Sequence, residues 1–302
     1  MVSWMKVNLR DHLGGVRTDL ASLILKICEI CDIISDGIAY RMGRAETRNI
    51  FEEFQTTLDI WADNLFIEEL ARTGLVRTLF SEEQRKPVRI DDYGVFDVAI
   101  DPVDGSSNLR SNNLVASIIS IYEKRMPTRG RDQIASMYIL YGPVTSMVYT
   151  VGEGVHEMLR TKEGFMLSRE NLELPEPGEL YSVGGLRKDW PPKIKAYIER
   201  LEGEGLKLRY GGSLVGDFNQ ILHYGGIYAY PTLISSPEGK LRLIFESNPV
   251  AYIVEQAGGS SSNGEKSILD IEPESLTQRT PTYLGNKGLI RRLEKDLKDS
   301  EK

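Results

Sequence analysis

The run VAIDPVDGSSN, Val98 to Asn108, sets two aspartates three residues apart around a proline, then a glycine and two serines. Carboxylates this close repel one another unless cations neutralise them, and hard divalent ions with oxygen ligands are the expected solution. Further acids sit at the edges of apolar runs: Glu82 and Glu83 close VRTLFSEE, Glu246 ends GKLRLIFE, and Asp59 opens a helical pattern. In an α/β protein, acids at the carboxyl ends of strands project into the crevice where ligands bind. Taken singly, each of these acids reads first as a solvated turn acid or a helix cap. DGSSN has two readings as well. Gly105 permits close backbone approach, and the N–H groups of Gly105, Ser106 and Ser107 form either an anion-binding nest or the start of a capped helix. In GKLRLIFE, strand alternation places Lys240, Arg242, Ile244 and Glu246 on one face and Leu241, Leu243 and Phe245 on the other. The charged face is either wet or an anion site beside a metal.

Positioning these groups calls for a mixed α/β chain. Residues 18–39 read as an amphipathic helix, and a second spans about 57–73 with Gly74 as its stop signal. VRTLFSEE is a short strand that delivers acids at its end. FDVAIDP and ASIISIY are apolar runs of strand length, and SMYILYGPVTSMVYTVGEGVHEMLRTKEGFMLS is a meander punctuated by glycines. The proline- and acid-rich NLELPEPGE is the linker, so the chain divides near Leu174 into 1–174 and 175–302. Beyond it lie a strand at LYSVGG, a helix across PPKIKAYIERLEGEG and a second α/β half. The tail LIRRLEKDLKDSEK reads as a solvated, charged helix without chemistry.

The chain has 302 residues, 27% of them charged and 41% hydrophobic, enough for one sizeable core or two coupled ones. A net charge of −7 argues against a general nucleic-acid or anionic-membrane binder. It leaves room for a small anionic substrate, because local basic residues can dominate a pocket. The opening MVSWMKVNLRDHLGG lacks the apolar run of a signal peptide, and no stretch is long and apolar enough to span a membrane, so a cytoplasmic protein is expected. The only two cysteines, Cys28 and Cys31, have redox-motif spacing. They also recur with Leu20, Leu23, Ile24, Ile27 and Ile34 at helical period, which points both thiols into a core. The three histidines, His12, His156 and His223, are scattered, and nothing local supports a histidine-based nucleophile.

Three separated blocks carry a resemblance: DPVDGSSN with SEE upstream, LRYGGSLVGDFNQILHYGGIYAYP, and SPEGKLRLIFESNPVAYIVEQAGG. Together they resemble class I fructose-1,6-bisphosphatase, of the metal-dependent, lithium-sensitive sugar and inositol phosphatase superfamily. The likeness runs from the helix near Asp19 to LTQRTPTYLG, most of the chain. It implies a layered α/β/α/β/α sandwich with a regulatory N-terminal half and a C-terminal half for the sugar bisphosphate. The implied reaction is hydrolysis of the 1-phosphate of fructose 1,6-bisphosphate to fructose 6-phosphate and phosphate, a step of gluconeogenesis.

The resemblance also implies roles for individual residues. Glu82, Asp101, Asp104, Glu246 and the Val103 carbonyl would bind two or more Mg²⁺ ions, with Mn²⁺ as the alternative, and Glu53 would add a carboxylate from a mobile loop. Asp59 and Glu83 would form the dyad that orients and deprotonates the attacking water. Gly105, Ser106, Ser107 and Asn108, with Arg242, would hold the 1-phosphate. Lys240 and the backbone of Gly212, Ser213 and Leu214 would meet the sugar, and Tyr210 and Tyr230 the distal phosphate. Arg209 would reach into a neighbouring subunit's site, which implies a homo-oligomer, a tetramer ahead of a dimer.

The chain departs from the family pattern at two places. In LYSVGGLRKDW, the family's asparagine and tyrosine for the distal phosphate are replaced by Gly184 and Arg187. Glycine removes a donor and suggests a roomier or differently shaped pocket. Arg187 is either a bidentate phosphate ligand or a solvent-facing residue at a helix start. Where AMP-inhibited members carry a lysine–tyrosine pair and an arginine, this chain has Val95, Phe96 and Glu123, and RTDLASL lacks the nucleotide-binding threonine pattern. AMP inhibition at the usual site is therefore not expected. Three other functions compete with the leading one. Sedoheptulose 1,7-bisphosphate could be the sole or a second substrate. An inositol monophosphatase would normally carry Trp-Asp where this chain has Glu246-Ser247-Asn248-Pro249. A non-catalytic sugar-phosphate sensor would usually have lost one of the six carboxylates, all present here.

Overall fold

Long β-branched runs separated by glycine turns give the described residues two large sheets, of eight and five strands, beside two two-stranded pairings, Arg44–Arg48 with Phe54–Thr56 and Leu241–Arg242 with Arg279–Thr280. The structure, a computed structural model, describes residues 7–49 and 54–298. The chain divides into two compact units: residues up to 126 with 132–171 form the first, and 127–131 with everything from 172 onward form the second. Both mix helices and strands, so the fold class is α/β.

The first unit opens with a single helical turn, α1 (Leu9–His12), followed by α2 (Thr18–Gly37) and α3 (Thr57–Ala71). Its sheet holds β1 (Val76–Ser81), β2 (Val88–Arg89), β3 (Phe96–Asp104), β4 (Val115–Tyr122), β5 (Gln133–Tyr141), β6 (Ser146–Thr150), β7 (His156–Thr161) and β8 (Gly164–Arg169). The spatial order is β8-β7-β6-β5-β4-β3-β1-β2. Strands β3 and β4 are buried along their whole length, which explains why they read as continuous apolar runs. The inward face of α2 carries Leu23, Ile24, Ile27, Ile30, Cys31 and Ile34, all fully buried. Burying one such aliphatic side chain contributes roughly 1.5–3 kcal/mol. α3 is capped by Thr56, whose side chain accepts the Asp59 N–H while the Asp59 carboxylate accepts the Thr56 N–H. After α3, Gly74 takes a left-handed φ of +64°, the conformation a helix stop requires.

One pairing in this sheet matters most for chemistry. β1 and β3 run parallel, with Ser81 opposite Ile100, while every other described pair in the sheet is antiparallel. Parallel neighbours end at the same edge, so the acids after β1 and at the end of β3 are delivered side by side.

The second unit contains β9 (Leu180–Val183), α4 (Pro192–Gly203), β10 (Lys207–Leu208), α5 (Leu214–Tyr224), β11 (Gly226–Tyr230), α6 (Asn248–Gln256), β12 (Ser260–Ser262), β13 (Thr282–Gly285) and α7 (Lys287–Lys298). Its sheet order is β10-β9-β11-β13-β12. The C-terminal helix is less solvated than its charge suggests: Ile290 and Leu293, one turn apart, are buried, and only the remaining faces meet water. Among the described residues, no helix is long and apolar enough to cross a membrane.

Candidate active site

In the first unit, three of the sequence-predicted carboxylates lie deep at neighbouring strand ends. Glu82 follows β1, and its N–H donates to the Ile100 carbonyl of β3. Asp101 and Asp104 lie in the last four residues of β3, and the exposure of the three is only 4, 4 and 5%. Between the two aspartates the pairing with β4 shifts register, with Pro102 and Val103 opposite Ser117 alone. This bulge accommodates a proline, which has no N–H to donate, in a central strand. The Ser117 hydroxyl donates to the Pro102 carbonyl at 2.6 Å, and the Val103 N–H donates to Asp101 Oδ1 at 3.0 Å. Asp101 is thereby fixed by its own strand. An all-carboxylate donor set buried this deeply is costly without a cation, and hard oxygen donors fit a divalent ion such as Mg²⁺.

The two residues expected to handle the water's proton are positioned separately. Asp59 is buried in the first turn of α3, and burial pushes its carboxyl up to about 6 against the hydrogen bonds from Thr56 and Ser106. Glu83 is half-buried and accepts a 2.6 Å hydrogen bond from Gln55 Nε2. One turn beyond Asp59, burial also raises the Asp63 carboxyl, which accepts from Ser81 and Gln84. Glu53 lies outside the described residues.

Of its two sequence readings, DGSSN shows the helix start, without a side-chain cap. Gly105 has φ +75° and precedes a 3₁₀ helix over Ser106–Ser111. The left-handed glycine turns the chain sharply off β3 and starts a helical turn whose leading N–H groups carry partial positive charge. The loop is closed by Asn108, whose Nδ2 donates to the Leu114 carbonyl at 3.0 Å.

The second unit corrects one expectation. GKLRLIFE is not a continuous strand: only Leu241–Arg242 pairs, with Arg279–Thr280, and Leu243–Ser247 forms a π turn that runs into α6. All five π-turn residues are buried, so alternation does not separate a wet face from a dry one there. The turn brings Glu246 back onto Arg242. Glu246 Oε2 accepts from the Arg242 N–H at 2.6 Å and from its guanidinium Nη1 at 3.3 Å. Such π segments occur often at functional sites.

Around the predicted sugar and distal-phosphate residues, Lys240 is exposed and its Nζ stands 5.8 Å from the Tyr230 ring centroid. A Cβ at Gly184 would lie 2.5 Å from that same ring. The space freed by glycine is thus filled by Tyr230, which favours the differently shaped pocket over the roomier one. Arg187 sits at a 3₁₀ turn, half exposed, paired with Glu199 of α4 at 2.7 Å. Tyr210 is also half exposed, and Arg209 Nη1 donates to the Leu208 carbonyl at 3.0 Å.

Two positioning residues escaped sequence reasoning. Asp217 is 1% exposed and accepts the N–H of Gly211 at 2.5 Å and of Gly212 at 3.0 Å. It holds the backbone just ahead of Ser213, which caps α5 by accepting the Gly216 N–H. Its signal was an acid one turn past a serine in GGSLVGD, the pattern of a helix start. Gln55 left no local signal, because its contact with Glu83 depends on the fold.

Comparison with known proteins covers nearly the whole chain. Residues 5–170 match the family model for the fructose-1-6-bisphosphatase N-terminal domain, and 174–298 match that for the C-terminal domain. A class 1 fructose-1,6-bisphosphatase of Geobacter sulfurreducens is 43% identical over 288 residues, 93% of this chain and 92% of that protein. One from Natronomonas pharaonis is 41% identical over 262 residues, covering 86% and 92%. Among solved structures, the Leishmania major fructose-1,6-bisphosphatase in holo form has a TM-score of 0.92 at 30% identity, covering 97% of this chain and 99% of its own. A putative sedoheptulose-1,7 bisphosphatase from Toxoplasma gondii gives 0.89 at 30% identity, covering 97% and 98%.

Proposed function

The chain belongs to the fructose-1,6-bisphosphatase family, and we propose that it hydrolyses the 1-phosphate of its sugar bisphosphate at the carboxylates named above. It is a phosphoric monoester hydrolase acting on fructose 1,6-bisphosphate, as the match of both family domains and of the curated relatives supports. The family is metal-dependent, and Mg²⁺ suits the all-oxygen donors of Glu82, Asp101, Asp104 and Glu246 with the Val103 carbonyl. When bound, such ions polarise the phosphate and neutralise charge on the attacking and leaving oxygens.

The remaining steps fall to the chain's own groups. Asp59 and Glu83 orient the attacking water and take its proton, with Gln55 holding Glu83 in place. The N–H groups of Gly105 to Ser107, the Asn108-closed loop and Arg242 hold the phosphate. Lys240, Gly212, Ser213 and Leu214 meet the sugar. Tyr210 and Tyr230 take the distal phosphate, and Arg187 joins them only by releasing Glu199. Glu53 would supply a further metal carboxylate. Arg209 serves a neighbouring subunit in a homotetramer, and the enzyme works in the cytoplasm.

The observation that carries this reading is the set of deeply buried carboxylates at the shared edge of β1 and β3 in a chain that matches both family domains. Phosphate release measured with fructose 1,6-bisphosphate, sedoheptulose 1,7-bisphosphate and inositol 1-phosphate, with and without Mg²⁺, tests it. Mg²⁺-dependent release from the fructose substrate is expected, and a preference for inositol 1-phosphate would defeat the reading. The structural likeness to a putative sedoheptulose bisphosphatase supports the seven-carbon sugar as a second substrate.

A further inference from the structure

Two of the three histidines, far apart in sequence, meet in the first unit. His12 ends α1 and His156 begins β7, and their rings lie 4.6 Å apart at 70°. Glu170, immediately after β8, faces the pair, with its Oε1 3.5 Å from His12 Nε2. One ligand atom from each of the three lies within 4.8 Å of the other two. We infer that His12, His156 and Glu170 form a second metal site, distinct from the all-oxygen carboxylates, for a borderline transition-metal ion such as Zn²⁺.

The donor chemistry selects that class of ion. Two imidazoles and one carboxylate suit Zn²⁺ or Co²⁺ far better than Mg²⁺, which prefers oxygen and keeps its water. Around a tetrahedral ion with bonds of about 2 Å, ligand atoms stand roughly 3.3 Å apart, close to the separation of His12 Nε2 and Glu170 Oε1. Three protein ligands leave a fourth position for water.

The surroundings are those of a held ligand set. His12 Nδ1, the nitrogen turned away from Glu170, is hydrogen-bonded to the Tyr149 hydroxyl. Such a bond on the far nitrogen fixes a ring's orientation for metal binding. His156 Nδ1 accepts a long 3.4 Å hydrogen bond from the Asn171 N–H, so its single lone pair reaches an ion only when that weak bond is given up. His156 is 8% exposed, whereas the Glu170 side chain is 60% exposed, so an ion can enter from the solvent side.

The site would staple the N-terminal segment to the edge of the sheet. That segment already lies against β8: the Leu167 N–H donates to the Val7 carbonyl at 2.8 Å, and Asn8 bridges to Met166. An ion held by His12, His156 and Glu170 ties α1, the start of β7 and the residue after β8 together, in addition to those backbone bonds.

The test uses the full-length protein, stripped of metal by a chelator, saturated with Mg²⁺ and titrated with Co²⁺. A histidine-ligated Co²⁺ of low coordination number absorbs visible light far more strongly than one in an octahedral all-oxygen site. One equivalent of the intense band is expected, displaced by Zn²⁺. In Glu170→Gln the Co²⁺ affinity should fall at least tenfold, and in His156→Gln the band should vanish. Zn²⁺ should raise the Tm of the wild type and of neither variant. Glu170 is exposed, so its variant keeps the test informative if His156→Gln folds poorly. Absence of the band in the wild type, or the same band and affinity in Glu170→Gln, would overturn the site.

Discussion

Asp59 and Asp217 are both carboxyls that burial raises to about 6, yet ionisation has opposite meanings for them. As a proton acceptor, Asp59 must be charged, so log kcat/KM should fall with a slope near one as pH drops below about 6. Phosphate-release rates from pH 5 to 8 check this, and a profile flat to pH 5 would remove Asp59 from the role. Asp217 acts through the Gly211–Gly212 backbone. Its folded pKa lies above the ordinary carboxyl value, so the native state binds that proton more tightly than the unfolded chain does. Its contribution to stability is full below about 4 and is lost as pH rises to about 6. Asp217→Asn should flatten that part of the urea-unfolding profile, by about 1–3 kcal/mol between pH 4 and 7. It should also raise the KM, because one of the two glycine N–H groups loses its charged acceptor. A pH slope unchanged from wild type would count against this account.

Among the elements, strands were the easiest to read and the irregular turns the hardest. FDVAIDP and ASIISIY stood out because both faces of β3 and β4 are buried, which demands unbroken apolar sequence. The acids Glu82, Asp101 and Asp104 were found because they interrupt such runs at their ends. GKLRLIFE misled because alternating polar and apolar residues also occur where a buried π turn folds Glu246 back onto Arg242. The histidine pair was invisible, since periodicity reports neighbours along one element and these rings come from two. Just past the end of β9, at the position to which the resemblance assigns the family's asparagine, the Tyr230 ring occupies the place of a Cβ. Restoring the family residue with Gly184→Asn should therefore harm the protein. Overpacking of this kind costs about 1–3 kcal/mol. A lower Tm and a KM raised severalfold are expected, and a Gly184→Asn enzyme with improved KM would show that the ring yields freely.

At the scale of the whole molecule, Glu123 bears on control by nucleotide and Arg209 on assembly. Glu123 is ion-paired with Arg17 at 3.1 Å, and Arg17 lies 5.2 Å from the Phe96 ring. A carboxylate thus stands at the position to which the sequence resemblance assigns the arginine of AMP-inhibited members. AMP titrated at fixed substrate should leave the rate unchanged, and micromolar inhibition not competitive with substrate would contradict this. Assembly can be read through Arg209. If it serves a neighbouring subunit, Arg209→Ala raises the KM when alone, and co-expression with Asp101→Asn should rebuild wild-type sites in mixed oligomers. Rates that merely add would assign Arg209 to its own subunit.

The placement of Cys28 and Cys31 on the inner face of α2 has a practical reach. They are the only cysteines in the sequence. Both lie in the core, and burial pushes the Cys31 thiol up to about 12 and raises that of Cys28 as well. Thiolate rather than thiol is the reactive species, so neither competes for an electrophile at neutral pH. The wild-type chain is in effect a background-free scaffold for maleimide dyes and spin labels. A single cysteine introduced at Tyr93, 92% exposed at a turn, gives one reporter per chain while both native thiols remain in place.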